Sequence, residues 1–268
     1  REKWTYLIEK ELKFDSSEHP IILNEPYYIR KADREKLTQV MFEEVQCPAF
    51  YVSPSSLYSL YSTGRTSGCV LDFAFDCTRI VPIYEGYVLQ LNSTMTNIGG
   101  QHISAVLANN LKTHCLIPEN AAFGLPQVEE IKMKYMFVAG AATDLNVLEK
   151  VQYALPDGNV IDIQTKQILA PCCNLFFDAN RSFVNAVYGA IMKCDKSSLS
   201  EMFMNLVCCG GTAKIQGMNE KIQADLQLRV IENGKKYLVH VASPKDKELS
   251  TWQGASIYSS LSSFPRAL

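Results

Sequence analysis

RTSGCVLDFAFDCTRIVPIYEGYVL, residues 65–89, holds two β-branched or apolar runs, Cys69–Leu71 and Ile80–Ile83, separated by the eight residues 72–79. Such a pair, bounded by turn residues, predicts two adjacent strands with a sharp return between them. Asp72 closes the first strand, where a carboxylate in a nucleotide-binding fold would face phosphate-bound metal. A return that cradles phosphate needs glycines, so that backbone N–H groups can approach the anion. Here the return is Phe73-Ala74-Phe75-Asp76-Cys77, with no glycine and one extra carboxylate. The scaffold suits a phosphate hairpin, but its chemistry is missing.

Upstream, Trp4, Leu7, Ile8 and Leu12 recur at helical spacing over Arg1–Lys13. After His19-Pro20, Ile21–Leu23 reads as a short buried strand. Asp33 is placed to cap a helix whose apolar stripe is Leu37, Val40, Met41 and Val45. Ala49–Val52 predicts another strand, and Pro54 suits the first turn of a helix running to Tyr61. Downstream, Asn97-Ile98-Gly99-Gly100 leads into a helix over about Gln101–Asn110, and the turn-rich Leu111–Leu125 predicts a surface excursion. Gln127–Val138 returns to helical spacing through Val128, Ile131 and Tyr135.

Tyr153–Ile163 predicts a hairpin turning at Pro156-Asp157-Gly158. Asn174–Asp178 and a helix over Phe183–Met192 follow. Leu206–Cys209 then enters Gly210-Gly211-Thr212, ahead of a helix near Asn219–Leu228. Strand–Gly-Gly-Thr–helix suits an anion or an adenine, because glycines admit a ligand to the backbone; a structural turn explains it more simply. Tyr237–Val241 predicts a strand, and Thr251–Ser262 a last helix with Trp252, Ile257 and Leu261 on its apolar side.

A chain of 268 residues can bury a sizeable core in one large or two modest domains. Its net charge of −2 leaves no basic footprint for nucleic acid. Nine scattered cysteines include the vicinal pairs Cys172-Cys173 and Cys208-Cys209, which staple a fold poorly and point to reduced thiols in an intracellular compartment. Four histidines, none at ligand spacing from a cysteine pair, argue against zinc. The longest apolar run, Tyr135–Ala142, is too short to span a bilayer, and no signal peptide is visible. The first residue is Arg1 rather than Met, which leaves room for residues upstream. No repeat, low-complexity linker, charged tail, nucleophile elbow or Cys/His pairing stands out.

GRTSG (Gly64–Gly68), VPIYEGY (Val81–Tyr87), IMKCD (Ile191–Asp195) and CCGGT (Cys208–Thr212) resemble the actins and actin-related proteins. HPIILNEP (His19–Pro26), REKLTQVMFEE (Arg34–Glu44) and LPDG (Leu155–Gly158) are similar to the same family. The resemblance runs from Trp4 to Phe264. It implies an α/β, actin-like, hexokinase-type fold of two lobes, each with a mixed sheet flanked by helices. Residues 1–97 plus 251–268 would form an incomplete first lobe and 98–250 the second. The family's opening strands, first phosphate loop and small outer subdomain, and its last helices, find no counterpart.

In actins the strand–turn–strand after GRT(T/S)G is the second phosphate loop, written DSGDGVTH. Laid on this chain it covers Asp72–Arg79, and only Asp72 and Thr78 match. The resemblance implies residual nucleotide contacts at Asp72, Gly100, Lys132, Gly210, Gly211 and Thr212, with Lys247 as an adenine-side lysine. The water-orienting glutamine falls on Ser55, the histidine on Arg79 and the ribose glutamate on Met133. Ser55 is too short for that reach, and Arg79 cannot act as a base near neutral pH. The expectation is therefore no catalytic residue, no metal and no required cofactor, with residual ATP or ADP binding left open.

Actin partners insert an apolar helix between the lower subdomains, which here implies a cleft lined by Tyr61, Thr66, Tyr87, Tyr258, Leu261 and Ser263. The expected role is a non-catalytic structural or scaffolding subunit of a cytoskeletal, ciliary or axonemal assembly, in the cytoplasm. Its partners would be proteins, either actin-like subunits or a helix docked in that cleft, and neither nucleic acid nor membrane. The alternative is an ATP-binding actin-related protein seen as a fragment, acting in a dynein-adaptor or chromatin-remodelling complex.

Overall fold

The computed structural model describes residues 4, 6–115, 117, 122–138, 149–177, 183–262 and 264. The chain opens with a π-helical turn, α1 (Leu7–Leu12), then β1 (Ile21–Glu25), α2 (Lys31–Gln39), β2 (Phe50–Pro54) and α3 (Ser55–Tyr61). β1 and β2 pair in parallel, Ile21 opposite Phe50, and Ile21–Leu23 is half-buried rather than buried. Arg30, not Asp33, holds the cap position of α2; Asp33 sits in the first turn and accepts from Arg30 Nε at 2.7 Å. A carboxylate is favourable there because the first helical N–H groups point toward it. α2 continues as a π-helical turn, Val40–Glu44, and Met41 and Val45 of the expected stripe join Ile8 and Cys47 in a small core. Pro54 ends β2 and stands just before α3 instead of within its first turn.

Next come β3 (Gly68–Phe73), β4 (Thr78–Tyr84), β5 (Tyr87–Val88), β6 (Thr94–Thr96), α4 (Gly100–His114) and α5 (Leu125–Tyr135). α4 outruns its expected end because Leu111 extends the buried Ile103–Leu107 row by one more turn. So the start of 111–125 is helix, and the turn-rich composition misled. β7 (Lys150–Ala154) and β8 (Val160–Gln164) form the expected hairpin, where Asp157 Oδ1 accepts from the Asn159 N–H at 3.0 Å.

A π-helical turn (Thr165–Leu169) and a 3-10 turn (Ala170–Cys173) lead to α6 (Asn174–Phe177), α7 (Phe183–Met192), α8 (Leu199–Met204) and β9 (Leu206–Cys209); a 3-10 turn (Gly211–Lys214), α9 (Met218–Glu232), β10 (Val241–Ala242) and α10 (Ser250–Ser259) follow. The predicted strand 237–241 shrinks to β10, because Gln227 and Gln223 side chains hold the Val239 and Val241 N–H groups in place of a neighbouring strand.

The central sheet runs β10-β9-β3-β4-β5, with β6 also on β4; β9 lies parallel to β3 and β4 antiparallel. Alternate residues serve two cores. Cys69, Leu71, Phe73, Ile80, Leu206 and Cys208 join the larger one, which also takes in residues of α4, α5, α7 and α9. Val70, Val81, Ile83, Val207 and Cys209 join Leu57 and Leu60 of α3 in the other. A sheet covered on both faces explains why these strands read as continuous apolar runs. β3–β6 come from residues 1–97 and β9–β10 from 98–250, so the boundary expected at residue 97 passes through this sheet.

α10 reverses another expectation. Ser250 and Gly254 are its buried residues, whereas Trp252, Ile257 and Leu261 are 67%, 47% and 48% exposed. A Cβ on Gly254 would stand 1.7 Å from the Tyr58 carbonyl oxygen, so small side chains let the two helices approach closely.

Candidate functional site

The β3–β4 register sets Asp72 directly opposite Arg79 and Phe73 opposite Thr78, leaving 74–77 as the return. Arg79 Nη1 donates to Asp72 Oδ2 at 3.1 Å, and both side chains are largely buried. Burial pushes the Asp72 carboxyl above its ordinary value, although Arg79 pulls the other way. Burial opposes the Arg79 charge, but the Tyr28 hydroxyl and Asp72 outweigh it and push that pKa up. The arginine also lies over the Tyr28 ring, 5.8 Å from its centroid. Asp72 is thus held by a cation of its own chain.

The return sits on the N-terminus of α4. The Gly100 N–H donates to the Ala74 carbonyl at 3.0 Å and the Gln101 N–H to the Phe75 carbonyl at 2.8 Å. The Gly99 N–H donates to His102 Nδ1 at 3.1 Å, and Thr78 Oγ1 donates to the Ile98 carbonyl at 2.7 Å. A Cβ on Gly99 would stand 2.6 Å from backbone atoms of Phe75, Asp76 and Cys77, so only glycine allows this contact. Helix-start N–H groups attract phosphate when they are free. Gly100 and Gln101 give theirs to the return instead. Phe73 anchors the return from inside, with its ring 5.5 Å from Phe176 and 5.2 Å from Phe183.

Gly100, Lys132 and Thr212 do come together. A Cβ on Gly100 would lie 2.7 Å from Thr212 Oγ1 and 3.4 Å from Lys132 Nζ. Lys132 is buried on α5; its Nζ donates to Ser104 Oγ at 2.8 Å and the Gly100 carbonyl at 3.3 Å, and pairs with Glu129 Oε2 at 2.5 Å. Phe75 covers it, with the ammonium 5.9 Å from the ring centroid. Ser104, Glu129 and Phe75 were not foreseen as its partners, although the four-residue spacing of Gly100 and Ser104 and the i,i+3 spacing of Glu129 and Lys132 carried the signal. Met133, the next residue of α5, is exposed.

Gly210 leaves β9 with φ +92°, and a Cβ there would meet the Phe73 carbonyl oxygen at 2.4 Å. Nothing crowds Gly211, and Thr212 is buried. Lys247 does reach this turn: its Nζ donates to the Ala213 carbonyl at 2.6 Å and to Asn219 Oδ1 at 3.0 Å, and its carbonyl accepts from the Gly210 N–H. Burial lowers its pKa, with Cys208 and Glu220 acting in the opposite direction. Ser55 opens α3 and is half-buried.

These residues fit a nucleoside better than its phosphates. The open Gly211, the buried Thr212 and the half-buried Lys247 leave a turn that a ring and ribose could approach. Asp72, Lys132 and the Gly100 and Gln101 amides all bond to groups of the chain itself. No three His, Cys, Asp or Glu among the described residues converge as metal ligands. Among the described residues, no helix is long and apolar enough to cross a membrane.

Of the cleft residues, Tyr61 and Tyr258 stack 5.7 Å apart with their rings 22° from parallel. Tyr51, Tyr58 and Phe264, unforeseen, complete this aromatic cluster around Tyr258. Tyr51 and Tyr258 share a hydroxyl–hydroxyl hydrogen bond of 3.2 Å, and burial ahead of that bond pushes the Tyr51 phenol up to about 12. The Thr66 carbonyl accepts from the Gly86 N–H at 2.8 Å, and Tyr61 Oη would stand 2.9 Å from a Cβ on Gly86. Thr66 is exposed, Tyr87 is 77% exposed, and Leu261 is half open to solvent; Ser263 lies outside the described residues.

The family model for actin matches residues 1–268. A match over that span agrees with the mixed sheet flanked by helices, the Gly-Gly-Thr turn at the end of β9 and the return on α4. The chain belongs to the actin family.

Proposed function

We propose that this chain is a non-catalytic, structural or scaffolding member of the actin family, working in a cytoskeletal assembly, with a ciliary or axonemal setting as its specific form. One observation carries the reading: the return that the resemblance puts at the second phosphate loop has no glycine, and its Ala74 and Phe75 carbonyls accept from the Gly100 and Gln101 N–H groups at the start of α4. Phosphoryl transfer depends on positioned charge around metal-bound phosphate and an oriented nucleophile. Asp72 is tied to Arg79, and Ser55 and Arg79 stand where the resemblance puts the water-orienting groups. The exposed Tyr87 and Leu261, beside the Tyr61–Tyr258 stack, support docking of a partner helix through anchors at i, i+3, i+4 and i+7.

The grouping of Gly100, Lys132 and Thr212 favours a second reading, an ATP-binding actin-related protein of a dynein-adaptor or chromatin-remodelling complex. Phosphate release from magnesium ATP tests the non-catalytic part of the first reading, and ATP binding separates the two. The first reading expects the rate of buffer alone. Turnover like that of filamentous actin, abolished by Asp72→Asn, would exclude it.

A further inference from the structure

Away from both sites, α9 ends in a surface groove of about 480 Å³ lined by Gln227, Ile231, Lys235, Lys236, Tyr237 and Leu238. Its apolar walls face water: Ile231 and Leu238 are 60% and 62% exposed. Large apolar side chains grouped in the open mark an interaction surface more often than single ones do. The rim carries Lys235 and Lys236, both exposed, with no ion pair to another described residue, and no carboxylate lines the groove.

The groove is also preformed. At the end of α9 the Gly234 N–H donates to the Ile231 carbonyl at 2.9 Å and the Lys235 N–H to the Val230 carbonyl at 3.0 Å. Asn233 Nδ2 donates to the Arg229 carbonyl at 2.8 Å. Opposite, Tyr237 stacks on Phe203 at 5.3 Å, and the Gln227 amide grips both the Tyr237 carbonyl and the Val239 N–H. Binding here would order little of the protein, which removes part of the usual cost of association.

We infer that this groove docks an acidic amphipathic segment of a protein partner. Its apolar side chains would lie between Ile231 and Leu238, and its carboxylates would meet Lys235 and Lys236. Two cations with no neutralising acid select an acidic over a basic segment, and the apolar walls select one that also carries leucine-like anchors.

The probe is a fluorescein-labelled synthetic helix with leucine at i, i+3, i+4 and i+7 and glutamate between, beside a twin with lysine for every glutamate. Anisotropy titration with the full chain should show the acidic helix binding at least about tenfold tighter than its twin, and weakening as salt rises. Lys235→Glu/Lys236→Glu, which alters two exposed side chains, should reverse that preference, and Ile231→Ser, which removes an apolar wall without adding charge, should weaken both helices. Failure of the acidic helix to bind, or equal binding to the double variant, overturns the inference. So does capture of phosphatidylserine vesicles with no helix binding, or self-association of the chain that the double variant abolishes. The phosphate-release result bears on none of these outcomes.

Discussion

Gly254 sets how closely α10 approaches α3. With its would-be Cβ 1.7 Å from the Tyr58 carbonyl, Gly254→Ala should cost about 1–3 kcal/mol, read as a lower urea midpoint at unchanged slope. Arg79 is the other decisive side chain. Its removal leaves Asp72 a buried carboxylate without its charge partner, so Arg79→Met should destabilise by about 3 kcal/mol near neutral pH. The pH dependence follows from burial raising the Asp72 pKa. Between the ordinary and the raised value the folded chain holds a proton that the unfolded chain releases. The stabilising contribution is full below the ordinary value and is lost as pH rises through the raised one. Acidification should therefore narrow the gap between Arg79→Met and the parent in urea titrations, and a gap that widens would contradict the assignment. The Asp72–Arg79 pair escaped the sequence reading, which makes the return Phe73–Cys77; the strand register shortens it to 74–77 and sets 72 against 79. The Lys247 contacts escaped it too, since they depend on where a long connection returns to the sheet.

At the scale of elements, the return and α4 behave as one unit. Hydrogen exchange should find the Gly100 and Gln101 amides protected in the free protein, with no further protection on adding magnesium ATP. Fast exchange that slows with nucleotide would mean the helix start is open to phosphate. The β3–β4 hairpin was readable because apolar runs mark its strands, and the β7–β8 hairpin because Pro156-Asp157-Gly158 marks its turn. α10 was misread because large apolar residues mark its outer side. Backbone contact with α3 demands Ser250 and Gly254, so the small residues are inside and Trp252 and Ile257 outside. The stretch before β10 misled because glutamine side chains do the work of a strand there.

For the whole molecule, family and fold class were readable from separate motifs, whereas the lobe boundary was not, because one sheet joins strands distant in sequence. The proposed docking cleft, with Tyr87 and Leu261 exposed, belongs to this scale. Leu261→Asp and Tyr87→Asp, each folded by circular dichroism, should reduce incorporation into the native assembly; normal assembly of both would remove the cleft as the docking site. The central proposal is that the return standing at the second phosphate loop's position, closed on α4 by the chain's own hydrogen bonds, no longer cradles phosphate. Calorimetric titration of the full chain with ATP and ADP, with and without magnesium, tests it most directly. The expected result is weak or undetectable binding, with ATP and ADP alike and magnesium without effect; tight, magnesium-dependent binding that favours ATP would contradict it.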